Sequence, residues 1–258
     1  MGSEGYKQAW LREETLDTLN QRIHDGVPIE KLAARAADRR DTFFERLFPY
    51  ARPTAGSRVL ELGSGVGWIM ESMLEAYPID EIVGVDVSAV MIENARNRWN
   101  DSRATYVEYD GLRVPLADSS FDNVYSVACL QHIEKHHAFL LMKELVRLVK
   151  PGGHGTLHLL SVSHMQNATR TYEQECWNHV NDADEHWMHY YSYDEIFMLF
   201  AHELGVTDLD IKYYRTSFWV HFSKGTEHPF KTEDVEKQYF LNRRVPESIR
   251  PRIRRTPL

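Results

Sequence analysis

The chain has 258 residues, 43% of them hydrophobic and 26% charged, with a formal net charge of −8. That length supplies a sizeable core, and the acidic balance argues against broad nucleic-acid binding, which needs a basic footprint. Two cysteines, Cys129 and Cys176, do not make a disulfide framework, and neither a basic-then-apolar leader nor a long apolar run is present; the expectation is a cytoplasmic protein without a membrane partner.

Residues 1–52 read as a helical cap. One broken apolar stripe runs through Trp10, Leu11, Leu16 and Leu19, and a second through Ile29, Leu32, Phe43, Phe44, Leu47 and Phe48, with Gly26 and Pro28 between them. After a turn over Pro53–Gly56, strands and helices alternate. Strands are predicted over Arg58–Leu62, Glu81–Asp86, Ala104–Tyr109, Asp122–Ala128 and His154–Leu160. Helices are predicted over Trp68–Tyr77, from the Ser88 cap to about Trp99, and over His136–Leu148. Lys150-Pro151-Gly152-Gly153 reads as the loop before the fifth strand. This alternation implies a doubly wound α/β fold, a parallel sheet with helices on both faces. A polar, aromatic, histidine-rich stretch over 163–190 interrupts the pattern. A helix over Ser192–Leu204 and strands over Val206–Tyr214 and Ser217–Ser223 complete the domain, 53–225. The tail, 226–258, is rich in arginine and proline and reads as solvated chain.

The stretch with most chemistry is Val59-Leu60-Glu61-Leu62-Gly63-Ser64-Gly65-Val66-Gly67. A glycine-rich turn between a parallel strand and a helix is where doubly wound proteins bind nucleotides. The dinucleotide fingerprint Gly-x-Gly-x-x-Gly would place its third glycine at 68, where this chain has Trp68. An acidic residue, Glu61, precedes the first glycine by two positions. Asp86 ends the second predicted strand and is followed by Val87. Asp110-Gly111 follows the third strand, and Leu130-Gln131-His132-Ile133 follows the fourth.

Together these features resemble the class I S-adenosylmethionine-dependent methyltransferases over roughly residues 55–225. The resemblance implies a Rossmann-like seven-stranded sheet whose last strand is antiparallel. It implies S-adenosyl-L-methionine as cofactor, with Glu61, Gly63, Ser64, Gly65 and Gly67 around the methionyl part. It assigns Asp86 and Val87 to ribose and adenine, Asp110 and Gly111 to the adenine edge, and the Ala128 backbone to the methionyl amine.

Methyl transfer from a sulfonium is an in-line displacement in which positioning dominates. A hydroxyl nucleophile must also lose a proton, and His132 is the expected base, because an imidazole titrates near neutrality. His137 is a secondary candidate. The 163–190 stretch is the expected acceptor pocket, with Trp177, His186, Trp187 and Tyr190 as aromatic and polar lining. Its carboxylates and histidines could instead hold magnesium or another divalent metal, although their spacing matches no metal motif; a solvated loop is the third reading. The expected function is methyl transfer to a hydroxyl of a small molecule, a sugar or other polyhydroxylated metabolite. The alternatives are an N- or C-methyltransferase, or a module that binds the cofactor without turnover. An oligomer is left open.

Overall fold

The computed structural model describes residue 10 and residues 41–162, 188–206, 208–214 and 216–225. Of its central strands, β1 (Arg58–Leu62) is buried at all but Arg58 and β2 (Glu81–Asp86) at all but its two end residues. Apolar runs of this kind suit strands covered on both faces. β3 (Ala104–Glu108) lies beside β2, and β4 (Phe121–Ser126) and the long β5 (Val149–Ser161) extend the sheet from β1. β7 (Asp208–Tyr214) and β8 (Ser217–Ser223) form a hairpin beyond β5. The order is β3-β2-β1-β4-β5-β8-β7. β1 to β5 are mutually parallel, while β8 runs antiparallel to both β5 and β7. The seven-stranded Rossmann-like sheet with an antiparallel last strand is therefore observed. A two-residue strand, β6 (Tyr190–Tyr191), is an addition: it pairs parallel with Leu160 and Ser161.

Helices cover the sheet on both sides because side chains alternate along each strand. On one face α1 (residues 41–47), α2 (Trp68–Ala76) and α3 (Ala89–Arg98) pack over Val59, Ile82, Tyr106 and Tyr125. On the other, α4 (Lys135–Leu148) and α5 (Tyr193–Phe197) pack over Leu60, Leu62, Val83 and Val85. Each fully buried Leu or Met contributes roughly 1.5–3 kcal/mol. Two predicted starts owe their clarity to serine caps: Ser88 Oγ accepts from Met91 N–H, and Ser192 Oγ from Glu195 N–H. Among the described residues no helix is long and apolar enough to cross a membrane.

Four boundaries differ from expectation by two residues or more. β5 begins at Val149, so Lys150–Gly153 is a bulge within the strand and not a loop before it. Phe121 pairs with Val149 but Asn123 with His154, and the extra residues fold out at Gly152, whose φ is 77°. Lys150 Nζ on the Asp122 carboxylate (2.8 Å) and Lys224 Nζ on Val149 O (3.1 Å) hold the bulge. β4 stops at Ser126, two residues early, because Ala128 turns the chain into the left-handed region with φ 54°. The predicted 192–204 helix is α-helical only to Phe197. It widens over Met198–Glu203, where Leu204 N–H reaches back five residues to Leu199 O. β7 starts at Asp208 instead of Val206. The helices expected before residue 41, Trp177, His186 and Trp187 of the 163–190 stretch, and the 226–258 tail lie outside the described residues.

Candidate active site

The glycine turn sits where β1 ends beside β2. Gly63 and Ser64 N–H both donate to Val85 O (2.8 and 3.1 Å), which ties the turn to the neighbouring strand. Gly63, Gly65 and Gly67 all have positive φ, a conformation that L side chains resist. The three glycines look in different directions. A Cβ at Gly63 would collide with the Cys129 side chain, and one at Gly67 would lie 2.6 Å from the Tyr106 hydroxyl. A Cβ at Gly65 would meet nothing within 4 Å. Gly63 and Gly67 thus accommodate the protein's own side chains beneath the turn, and Gly65 presents bare backbone to the outside. Ser64 turns its side chain inward: its Oγ is buried and lies against Gly84, where a Cβ would come within 2.7 Å of it.

Two carboxyls flank this turn. Glu61 is 2% exposed and accepts from the Tyr125 hydroxyl at 3.1 Å. Burial holds its carboxyl well above the ordinary range; Tyr125 pulls it down, and the nearby Asp86 charge pushes it up. Asp86, half-buried at the end of β2, accepts from Gly65 N–H through Oδ2 (2.9 Å) and from Ser88 N–H through Oδ1 (3.0 Å). Its carboxyl is also raised, by burial, against the pull of the Ser88, Gly65 and Val87 amides. Each carboxylate oxygen carries two lone pairs, so both can accept a further bond from a ligand hydroxyl.

This electrostatic setting favours a cationic ligand over an anionic one. Two like charges at close range inside protein relax when a cation arrives and are strained further by an anion. At an effective dielectric of 20 and 4 Å, each unit charge interacts by about 4 kcal/mol.

Residues 59–153 match the methyltransferase domain family. Malonyl-[acyl-carrier protein] O-methyltransferase of Erwinia pyrifoliae is 30% identical over 130 residues, covering 50% of this chain and 47% of that protein. The ubiquinone/menaquinone biosynthesis C-methyltransferase of Desulfotalea psychrophila is 33% identical over 101 residues, 39% of this chain and 40% of that protein. The chain thus spans less than half the length of these curated relatives. The solved phosphoethanolamine N-methyltransferase 2 of Haemonchus contortus, in complex with phosphomonomethylethanolamine and S-adenosylhomocysteine, superposes with a TM-score of 0.58 at 18% identity. That superposition covers 72% of this chain and 53% of the other, and it is a likeness of fold. The domain match over residues 59–153 and the likeness of fold support the class I S-adenosylmethionine-dependent methyltransferase reading.

The other residues singled out in the sequence fall around the same strand ends. Val87 follows Asp86 and is buried in the cluster that also holds Tyr109, Val114 and Leu130. Asp110 Oδ1 accepts from the N–H groups of Leu112 and Arg113, both at 2.8 Å, and Gly111 has φ 81°. The Asp-Gly pair is therefore a side-chain-capped turn that shapes the loop after β3. Ala128 holds left-handed backbone, which costs a non-glycine residue about 1–2 kcal/mol and concentrates at functional sites. It delivers Cys129 beneath Gly63, where burial, reinforced by Asp86, pushes the thiol up to about 12 and leaves it unreactive.

His132 ends a short 3₁₀ turn, Leu130–His132, just past β4. Its Nε2 lies 3.3 Å from the Gln131 amide nitrogen, and its ring packs edge-on against Trp10 with centroids 5.7 Å apart. His137 is 8% exposed in the first turn of α4, its Nδ1 3.5 Å from Glu134 Oε2, while His136 is exposed. Tyr190 reaches the same region by another route. His189 N–H donates to Gln131 O at 2.6 Å, and Tyr190 then pairs with Leu160 in the lane that β4 has left. Among the described residues no three His, Cys, Asp or Glu side chains gather as metal ligands.

Sequence reasoning missed the understructure of the turn: Tyr125 under Glu61, Tyr106 under Gly67, Cys129 under Gly63 and Gly84 under Ser64. Strand alternation carried part of the signal, since Glu61, Gly84, Tyr106 and Tyr125 lie one residue out of phase with the apolar set Leu60, Leu62, Val83 and Val85.

Proposed function

We propose that the protein transfers a methyl group from S-adenosylmethionine to a hydroxyl of a small molecule, with a sugar or other polyhydroxylated metabolite as the first candidate. The observation that carries this reading is the outward-facing Gly65 between two carboxyls with raised pKa values, with an imidazole at the adjacent strand end. The residues fit the cofactor. Glu61 and the Ala128 backbone suit its ammonium group, the Gly63–Gly67 turn its methionyl part, Asp86 its ribose hydroxyls, and Val87, Asp110 and Gly111 its adenine. When bound, the cofactor supplies a methyl group already activated by sulfonium charge.

The chain's own work is then alignment and proton management. The β4 turn brings His132 to the edge of the site. In its neutral form the imidazole carries a lone pair on one ring nitrogen, and that nitrogen can take the proton of an acceptor hydroxyl. A positioned base of this kind contributes typically about 10²- to 10⁴-fold. His137, held against Glu134, supports the start of α4 behind it. Tyr190, with Trp177, His186 and Trp187, is assigned to acceptor binding, and the chain divides into a cap (1–52), the catalytic domain (53–225) and a basic tail (226–258). The second reading, a carbon or nitrogen acceptor, is favoured by a C-methyltransferase among the matched relatives.

Calorimetric titration with S-adenosylhomocysteine tests the cofactor, and saturable binding is expected. Release of S-adenosylhomocysteine is then screened over sugars, phenols and amines, with and without magnesium, and the methylated atom is identified by NMR. A protein that leaves S-adenosylhomocysteine unbound, or binds a nicotinamide dinucleotide in its place, overturns the reading.

A further inference from the structure

The glycine turn is tied to the rest of the molecule at successive points along the chain. Gly63 and Ser64 N–H hold Val85 O, and Gly65 N–H holds the Asp86 carboxylate. The next tie lies past Gly67, at the start of α2, and it comes from the far end of α3. Arg98, the last residue of α3, lays its guanidinium over the Trp68 ring, 3.5 Å from the centroid, and pairs through Nη2 with the Glu71 carboxylate. Trp68 opens α2 and Glu71 stands one turn on, so a single side chain grips both ends of the helix's first turn.

That first turn needs such a grip. Its cap residue is Gly67, with φ 81° and no side-chain cap bond, and a glycine does not itself hold the backbone in one geometry. The first helical bond, Glu71 N–H to Gly67 O at 3.0 Å, makes Glu71 part of the closure. Arg98 is anchored in turn. Two residues earlier on α3, Arg96 Nη2 donates to Tyr106 O at 2.7 Å, and the Tyr106 hydroxyl lies beneath Gly67. The contacts close a ring that runs from Gly67 through Tyr106, Arg96, Arg98 and Trp68 back to Gly67. The guanidinium is held in this ring at a cost: its Nη1 is buried without a hydrogen-bond partner among the described residues, and burial lowers its pKa. A lysine could reach Glu71 but has no flat face to lay on the indole.

We propose that Arg98 is a positioning residue for the methionyl end of the cofactor: by clamping Trp68 and Glu71 it sets the first turn of α2, and through Gly67 the backbone that meets that end. The identity of the cofactor rests on the function proposed above; the clamp does not. The nucleoside end stands on other anchors. Asp86 is held by Gly65 and Ser88 N–H, and Asp110 by Leu112 and Arg113 N–H, so adenine and ribose should not feel the loss of Arg98. Trp68, at the position where the dinucleotide fingerprint has its third glycine, is the ring on which the clamp closes.

The test measures two ligands by calorimetry on wild type, Arg98→Ala and Arg98→Lys. S-adenosylhomocysteine carries the amino-acid part; methylthioadenosine has the adenine, ribose and thioether without it. Loss of a partly buried cation–indole contact should weaken S-adenosylhomocysteine binding to Arg98→Ala by about 3- to 30-fold. Methylthioadenosine, bound at an independent end, should stay within about twofold of wild type. Arg98→Lys keeps the charge without the flat face and should fall between the two. A general loss of structure would lower both affinities together, so their ratio is the readout. Should Arg98→Ala fail to fold, fluorine NMR of fluorotryptophan-labelled protein decides on Arg98→Lys: the Trp68 signal, assigned by its disappearance in Trp68→Phe, should shift when the guanidinium is exchanged, and in wild type it should shift again on adding S-adenosylhomocysteine. An equal loss for both ligands, undiminished S-adenosylhomocysteine affinity in a folded Arg98→Ala, or a Trp68 signal that Arg98→Lys leaves unmoved overturns this proposal alone. A wild type that does not bind S-adenosylhomocysteine overturns the methyltransferase reading, and the role of the clamp with it.

Discussion

Replacing Glu61 with glutamine should make the ligand-free protein relatively more stable as pH rises and, at the same time, weaken its hold on the cofactor. Glu61 is buried under the glycine turn, and its carboxyl is raised first by burial and further by Asp86. In the unfolded chain the same group titrates near its ordinary value of about 4.3. Between that pH and the folded value, the native state keeps a proton that the unfolded state has released. Stability therefore falls as pH rises through this window, and the loss is complete above the folded pKa. Each unit of separation corresponds to about 1.4 kcal/mol. Glutamine has no such proton. It keeps an oxygen for the Tyr125 hydroxyl, and any cost of burying its amide is the same at every pH.

The assay is thermal unfolding of both proteins without ligand from pH 4.5 to 8. The difference in Tm, variant minus wild type, should grow more positive with pH, by about 2–4 °C for each kcal/mol in a domain of this size. Binding should move the other way. A hydrogen bond to a charged group contributes about 1.5–3 kcal/mol and a neutral one about 0.5–1.5, so S-adenosylhomocysteine should bind roughly tenfold more weakly to Glu61→Gln at pH 8. Parallel Tm curves, or wild-type affinity in the variant, would refute the assignment of Glu61 as a strained carboxyl awaiting a cation.

Gly67→Ala combines a φ of 81° with a Cβ 2.6 Å from the Tyr106 hydroxyl, and urea unfolding should show a loss of roughly 2 kcal/mol or more, partly restored by adding Tyr106→Phe. Gly65→Ala has open space at its Cβ, so its stability loss should stay near 1 kcal/mol while S-adenosylhomocysteine affinity, measured by calorimetry, falls at least tenfold. Asp86→Asn cannot accept from both Gly65 and Ser88 N–H, and should lose about 1–3 kcal/mol in the same unfolding assay as well as ribose-dependent affinity. His221 is buried beside Thr156, and burial, then Lys212, lowers its pKa from 6.5 to about 3. The unfolded chain takes up that proton first, so stability falls as pH drops from 6.5 toward 3; His221→Gln should flatten this limb of the Tm curve.

Much of the cofactor half was legible because its signals are local. β1 and β2 have their predicted limits, since an apolar run between a turn and an acidic end needs no distant partner to define it. The caps at Ser88 and Ser192 are equally local. The Lys150–Gly153 bulge was not legible, because Pro and Gly signal a turn wherever they stand; the partners that keep this segment in the sheet, Asp122 and the Lys224 end of β8, lie elsewhere in the chain. The left-handed Ala128 was hidden for another reason. Alanine does not favour that backbone, so tertiary contacts impose it, among them Cys129 filling the space that Gly63 leaves. The broadening of the 192–204 helix follows from five-residue hydrogen bonds that no apolar periodicity marks.

The two halves of the site differ in what ties them together. The cofactor turn lies in one strand–turn–helix–strand unit, β1 through β2, whose parts are joined by short closures and by backbone bonds such as Gly63 N–H to Val85 O. Its geometry forms once those neighbours pair. The His132 side is assembled from Trp10, the β4 turn and the chain entering β6, so its closure loops are long and their entropy grows with length. Among the described residues, an aromatic edge, a backbone bond and a two-residue strand contribute to it. With closures that long, the acceptor side should open at lower free energy than the cofactor side, and amide exchange should show it: faster exchange at His189 N–H than at Gly63 N–H, with S-adenosylhomocysteine slowing Gly63 more than His189. Equal protection at the two amides would mean that the His132 side is as firmly built as the glycine turn, and that closure length is not what separates them.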